Sequence, residues 1–534
     1  MDNRLHGEIN IESILDLDVQ IREHETAIAE LKRSRNSLLN IYKLPPEVLG
    51  KIFHQNVTLK GDFDGLEKES HNFLLVCHHW FEVALSTPEL WSFWGNTPKD
   101  WVRWCRRSGT APLDLVLDVE KNDGSFGVTL CNVLRDRATR DSIRRVHLRA
   151  RSTELLNSII SPLTAEPEEL RSTSVESFIL RDKEGVAGPD ISRFLANHHF
   201  PKLQRLGLFN CRFSSWDLIM SRSPILTTLD LYIRCYFPSP TPTASKLLSA
   251  LASYPTLQRV SLSWFEHHGD GDGGSDGSDG SGNPSPRASL PHLEELTLGT
   301  SPGQAFGILD RLDHPRHMDH LDLTFDECTV EDISHLIGPY LRDYLRHRGG
   351  SQSGLGLSLT LLYDDSIVVH VGDAGGIDFS SPVPARVDAF MAITMHLSQE
   401  RPPSDLLESA ILDLIAHTPR EEIVYFRTYD EPVAMEKIST QLPYLKGLHF
   451  ERTHLPAAFP KSNLDREGEI FPSLQYILLD SVFVDDGDWS PLKTFLDRRM
   501  SSGNQLHTLV LVGTYRIAPS VRWSLGDVVR EFKY

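Results

Sequence analysis

A chain of 534 residues is too long for one compact core, so it divides into several domains or builds one elongated array. Acidic residues outnumber basic ones by 73 to 54, a formal charge of −19. Nucleic acid or an anionic membrane is therefore a poor main partner, because neutralising phosphates needs Lys and Arg in excess. The six cysteines (Cys77, Cys105, Cys131, Cys211, Cys235 and Cys328) are scattered without a C-x-x-C pair. That is the usage of reduced thiols in the cytoplasm or nucleus, and it argues against a zinc ribbon or a disulfide scaffold. Met1-Asp2-Asn3-Arg4 carries no apolar signal core and no run approaches roughly eighteen apolar residues, so a soluble, intracellular protein is expected.

In chain order, the first segment (residues 1–42) contains a long amphipathic helix over residues 9–42. Ile14, Ile21, Ile28 and Arg35 share one heptad position, and Leu17, His24, Leu31 and Leu38 another, with Glu23, Glu25, Glu30, Lys32 and Arg33 between them. His24 and Arg35 interrupt the seam, which favours packing of this helix on the module that follows over self-association as a coiled coil.

Residues 43–95 form the second segment. Leu44-Pro45-Pro46-Glu47 reads as a helix start, with proline where φ is already set and an acid at the positive end. Val48, Leu49, Ile52 and Phe53 follow at helical spacing. After a polar interruption (Lys60 to Asn72), Phe73-Leu74-Leu75-Val76-Cys77 leads into a second apolar helix carrying Trp80, Phe81, Val83, Ala84 and Leu85. Pro88 stops that helix, and Leu90-Trp91 follows. So short a stretch cannot bury this many large side chains within itself, so something else must cover them.

Leu-Pro-Pro-Glu-Val-Leu with Ile52-Phe53, then Leu75-Val76-Cys77-x-x-Trp80 and Leu90-Trp91, resembles an F-box. The resemblance implies a three-helix module that docks on the small Skp adaptor of a cullin-based ubiquitin ligase. Its implied contact set is Leu44, Pro45, Pro46, Val48, Leu49, Ile52, Phe53, Leu74, Val76, Cys77, Trp80 and Trp91. Two features depart from the family pattern: His78-His79, where a basic residue is common, and the long polar insert. A helix ahead of the F-box is also familiar in a large fungal group of that family.

Residues 96–140 read as a tryptophan-rich connector. Trp101 and Trp104 are interleaved with Arg103, Arg106 and Arg107, a pattern that fits a core face with a solvated basic face better than a stacking platform for single-stranded nucleic acid. From residue 141 to 534 one phrase recurs, apolar-x-x-apolar-x-apolar. It appears as Ile143/Val146/Leu148, Val175/Phe178/Leu180, Leu203/Leu206/Leu208, Leu226/Leu229/Leu231, Leu257/Val260/Leu262 and Leu293/Leu296/Leu298. Further copies are Met318/Leu321/Leu323, Leu445/Leu448/Phe450, Leu474/Ile477/Leu479 and Leu506/Leu509/Leu511, with weaker ones at 355–361, 390–397 and 421–426. Pro201, Pro224, Pro255, Pro291, Pro443 and Pro472 each stand two residues before a phrase, where proline ends a helix and forces an extended lead-in. Helical patterns lie between phrases, at 191–196, 246–252, 333–346, 406–416 and 492–499.

The expected fold class is therefore α/β: an N-terminal helix and a three-helix F-box, then an irregular solenoid with parallel strands inside and helices outside, similar to a divergent leucine-rich repeat. Asn210 is the nearest match to that family's asparagine position. An open sheet with helices on both faces is the alternative.

Motifs for chemistry are weak. Gly269-Asp270-Gly271-Asp272-Gly273-Gly274 satisfies G-x-G-x-x-G as a string. It sits in an acidic Gly/Ser/Asp tract that repels pyrophosphate and lacks a following helix, so residues 267–288 read as a disordered loop. His314, His317 and His320 surround Pro315 and the start of a strand phrase, which breaks ligand geometry. Acid pairs such as Asp364-Asp365 and Asp485-Asp486 fall in loops. No nucleophile motif, zinc-protease motif or phosphate loop is present, so no enzyme activity, cofactor or metal is expected. The expectation is a ligase adaptor, with the Skp adaptor and through it cullin on one side and an unidentified target protein on the repeats. The alternative is a repeat scaffold whose F-box-like helices only cap the array.

Overall fold

The computed structural model describes residues 11–533 apart from 59–71, 95–100, 119–131, 133–135, 137–138, 140, 165–170, 173, 184–187, 214–222, 236–243, 267–286, 315–317, 349–354, 362–365, 374–387, 398–403, 430–434, 453–458, 460–470, 485–487 and 514–517. The Gly/Asp loop, His317, the acid pairs and the polar insert at 60–71 thus lie outside the described residues. The chain forms two compact units, Met1–Glu184 with Ala196–Lys202, and Gly185–Leu195 with Leu203–Tyr534. Among the described residues no helix is long and apolar enough to cross a membrane.

In the first unit, α1 (Ile11–Ser37) runs into the turn Asn40–Lys43, its packing partner. Ile14, Leu17, Ile21, Ile28, Leu31 and Leu38 all stay exposed, so the expected packing of this helix on the following module is not found. With His24 and Arg35 in the seam and charges around the remaining faces, α1 offers no continuous stripe to bury.

Next come α2 (Pro46–Thr58), a turn of 3-10 helix (Asn72–Leu75), α3 (His78–Leu85) and a second such turn (Pro88–Trp91). That last turn passes directly into β1 (Phe93–Trp94), which pairs in parallel with β2 (Leu113–Asp118). Between them lies α4 (Trp101–Ser108). β2 pairs with β3 (Ile143–Ala150) and β3 with β4 (Ser177–Asp182), again in parallel, while α5 (Thr153–Thr164) packs on β3. The connector therefore contributes a strand to the sheet. Leu115 and Leu117, Val146 and Leu148, Phe178 and Leu180 fill one face. The other face carries cross-strand ion pairs: buried Asp114 takes a two-pronged hydrogen bond from Arg144 (3.0 and 2.7 Å), and Asp118 pairs with Arg149.

The second unit contains β5 (Arg205–Phe209), β6 (Thr228–Cys235), β7 (Arg259–Glu266), β8 (Glu295–Thr300) and β9 (His320–Cys328), each parallel to the last. Its other half is β13 (Ile423–Tyr429), β14 (Gly447–Glu451), β15 (Tyr476–Asp480), β16 (Thr508–Val512) and β17 (Glu531–Lys533), also parallel. The second and third apolar positions of every main phrase fall inside a strand, and neighbours align: Leu206, Leu229, Val260, Leu296 and Leu321 form one cross-strand row, Leu208, Leu231, Leu262, Leu298 and Leu323 the next. Such rows persist because a register slip by one residue would turn every leucine to the opposite face.

The two halves meet through an antiparallel insertion that the repeat pattern does not predict. β10 (Leu355–Leu361), β11 (Ser366–Asp373) and β12 (Asp388–Leu397) form a meander. β12 pairs in parallel with β9, and β10 with β13, which leaves β11 running against all the others.

Helices make a layer of their own. α6 (Ala244–Leu251) contacts α7 (Pro302–Leu309); α8 (Gly338–Arg348) contacts α9 (Ser404–His417); α9 contacts α10 (Met435–Gln441); α11 (Ser490–Ser501) contacts α12 (Pro519–Gly526). This layer covers the leucine face, as Phe306 on Phe325 (5.6 Å between centroids) and the Trp264 Nε1 hydrogen bond to Gln304 (2.8 Å) record. Directly after four strands the backbone turns left-handed, at Asn210, Arg452, Ser481 and Gly513. Only the Asn and the Gly are residue types that favour this conformation.

Candidate functional site

The candidate site is the helical module at residues 40–94, whose apolar residues divide between an inner and an outer set. Leu49, Phe53, Phe73, Val83, Ala84, Leu90 and Trp91 form a closed core, with Leu74, Trp80, Leu85, Phe93 and Trp104 packed against it. Phe53 stacks on Phe73 (4.5 Å, 9°) and meets Trp80 at 5.0 Å, which fixes the turn Asn72–Leu75 beside α2. Trp91 is pinned three ways. Its Nε1 donates to the Ala84 carbonyl (2.8 Å), Trp104 meets it edge-on at 5.7 Å, and the Arg107 guanidinium lies 4.3 Å above its ring. Trp104 and Arg107 of the connector are thus used for packing and cation–π contact around Trp91.

Of the contact set implied by the resemblance, Leu49, Phe53 and Trp91 have no surface to offer, since they are 0, 2 and 2% exposed within the module itself. That corrects the set. These side chains hold the module together, and a partner would not reach them. Leu44, Leu74, Cys77 and Trp80 are half-buried, whereas Pro45, Pro46, Val48, Ile52 and Val76 are exposed. α2 is therefore two-sided: Leu49 and Phe53 point in, Val48 and Ile52 point out, each pair four residues apart.

Three large apolar residues outside the implied set are also exposed, Ile41 at 40%, Leu75 at 86% and Phe81 at 39%. The run Phe73 to Cys77 gave the signal, because five consecutive apolar residues exceed what one side of a short helix can bury. Cys77 stands at the N-cap of α3 and makes no side-chain capping bond. Just beyond it, His78 Nδ1 lies 3.3 Å from Glu82 Oε1 on the exposed side. The chemistry available is therefore apolar contact, from large exposed side chains on a module whose own core is complete.

No protein-family model matches the chain, and no curated protein matches it.

Proposed function

We propose that this chain is a substrate-recognition adaptor of a cullin-type ubiquitin ligase, with the 40–94 module as an F-box that docks on the Skp adaptor. The observation that carries this reading is the outer set Val48, Ile52, Leu75, Val76 and Phe81, exposed on a module that already buries a full core. Large apolar side chains exposed in this number on so small a module call for a partner surface to cover them. On this reading the in-register rows of leucines belong to a leucine-rich-repeat-like solenoid, interrupted once by the meander. Leu203-x-x-Leu206-x-Leu208-x-x-Cys211 matches the repeat consensus with its Asn/Cys position included, and Cys211 is buried there with its thiol on the Phe209 carbonyl.

The repeats would hold the target on the strand face opposite the helices. That face is accessible and charged at β5–β8, with Arg205 paired to Asp230 and Arg259 to Glu295. Over β14–β16 it is closed, with Tyr476, Leu478 and Val510 buried. The chain then works in the cytoplasm or nucleus and catalyses nothing itself; it raises the effective concentration of a target lysine beside charged ubiquitin.

A second reading has its own support. The turn Pro88–Trp91 leads straight into β1 on the edge of β2, the placement expected of a cap on a repeat array. Co-purification with a Skp adaptor separates the two. Deleting residues 1–95 would also strip β1 from the sheet, so the cleaner variant is Ile52→Asp with Val76→Asp. Stoichiometric capture by the native chain, lost in the double variant at unchanged melting temperature, supports the adaptor. Absence of capture by the folded native chain leaves the cap.

A further inference from the structure

The strand face opposite the helices carries a polar cluster at β13–β15. Glu451 and Asp480 are direct cross-strand partners on β14 and β15, two carboxylates side by side on one face. Like charges placed so are destabilising. Arg427 on β13 pairs with Glu451, but among the described residues no basic side chain pairs with Asp480, whose Oδ1 accepts only the Ser481 hydroxyl (3.0 Å). Two residues before Glu451 stands His449, only 6% exposed. Its Nδ1 is 2.9 Å from the Tyr425 hydroxyl, and its Nε2 is buried without a hydrogen-bond partner. One ring nitrogen of His449 and one oxygen each of Glu451 and Asp480 all lie within 4.8 Å of one another.

We propose that His449, Glu451 and Asp480 bind a divalent first-row cation, with zinc the best match to one imidazole nitrogen and two carboxylate oxygens. Nε2 is the free ligand atom. Nδ1, carrying the proton, donates to Tyr425, the outer contact that commonly fixes the tautomer of a metal-bound histidine. Two carboxylates against one arginine leave a net charge of −1, which a divalent ion compensates. Modest side-chain adjustment brings the three atoms to the usual about 2.0–2.2 Å from one ion, leaving a fourth position for water. The site depends on the sheet alone and not on the adaptor reading.

The test uses the full chain, stripped by a chelator and titrated with Zn²⁺ alone, following stoichiometry by calorimetry and melting temperature in parallel. The expected result is one saturable equivalent and a melting temperature that rises with Zn²⁺. His449→Gln and Asp480→Asn should each weaken binding by at least about tenfold. Failure of the native chain to take up a saturable equivalent overturns the proposal, as does an equivalent that survives unchanged in Asp480→Asn. If His449→Gln fails to fold, Asp480→Asn decides, being isosteric and at a half-buried position.

Discussion

Leu49 and Ile52 lie on the same helix, and truncating each should break a different property. Leu49 is fully buried among Phe53, Phe73, Val83, Leu90 and Trp91, so Leu49→Ala leaves a cavity in a closed core and should cost about 3–5 kcal/mol. That is a large part of the about 5–15 kcal/mol that holds a domain together, so the module should open locally. Ile52 keeps 44% of its surface exposed. Losing three partly buried carbons at about 0.8 kcal/mol per fully buried one costs the fold only about 1 kcal/mol. Adding Val48→Ala removes a second outer side chain, and the pair should weaken Skp-adaptor binding by about 2–3 kcal/mol, roughly 30- to 150-fold. Hydrogen exchange of the α2 amides reads the first effect and surface plasmon resonance the second. The reasoning fails if Leu49→Ala leaves α2 protection intact. It fails equally if Val48→Ala with Ile52→Ala binds as tightly as the native chain.

Further predictions follow from buried groups in the second unit. Arg499 is 3% exposed and donates to the Phe471 and Leu474 carbonyls (2.6 and 2.8 Å); Arg499→Met should cost about 2–4 kcal/mol in thermal melts by stranding both acceptors. Gly513 has φ +62 and a Cβ there would meet the Ser481 hydroxyl at 2.7 Å, so Gly513→Ala should destabilise by about 1–2 kcal/mol. Burial raises the carboxyl pKa of Asp322, against the pull of His320 and His370. A raised folded value means stability present at low pH is lost as pH climbs through it. Asp322→Asn should accordingly raise the melting temperature at neutral pH, and the gain should vanish on acidification. Burial, with Asp332 adding, pushes the Cys328 thiol up to about 12, so a thiol reagent should modify half-buried Cys77 at least about tenfold faster in the native chain.

The strands were legible because their signal is local. Two apolar residues two apart, a third upstream and a proline before it constrain φ and side-chain direction within about eight residues. The phrases at 203–208 and 474–479 accordingly place their second and third apolar residues in strands that align across neighbours. The antiparallel meander was not legible. β10 and β12 were visible as weak copies, but their exchange of places across β11 is a matter of strand pairing, set by which edges β9 and β13 leave open.

The N-terminal module shows the same division. Sequence spacing marks Val48, Leu49, Ile52 and Phe53 as one apolar group. Which pair turns inward is decided by Phe73 and Trp80, which arrive from beyond the polar insert; Phe73 stacks on Phe53 and Trp80 packs against it at a tilt. The His449, Glu451 and Asp480 cluster had no sequence signature at all. Its members sit on neighbouring strands, with Tyr425 and Arg427 on a third, and parallel pairing alone brings these polar groups within reach of one another. By itself the sequence determined what each short segment becomes, because backbone preference and apolar period act over a few residues. The tertiary structure decided which surfaces close and which stay open, because burial depends on what the rest of the chain brings alongside.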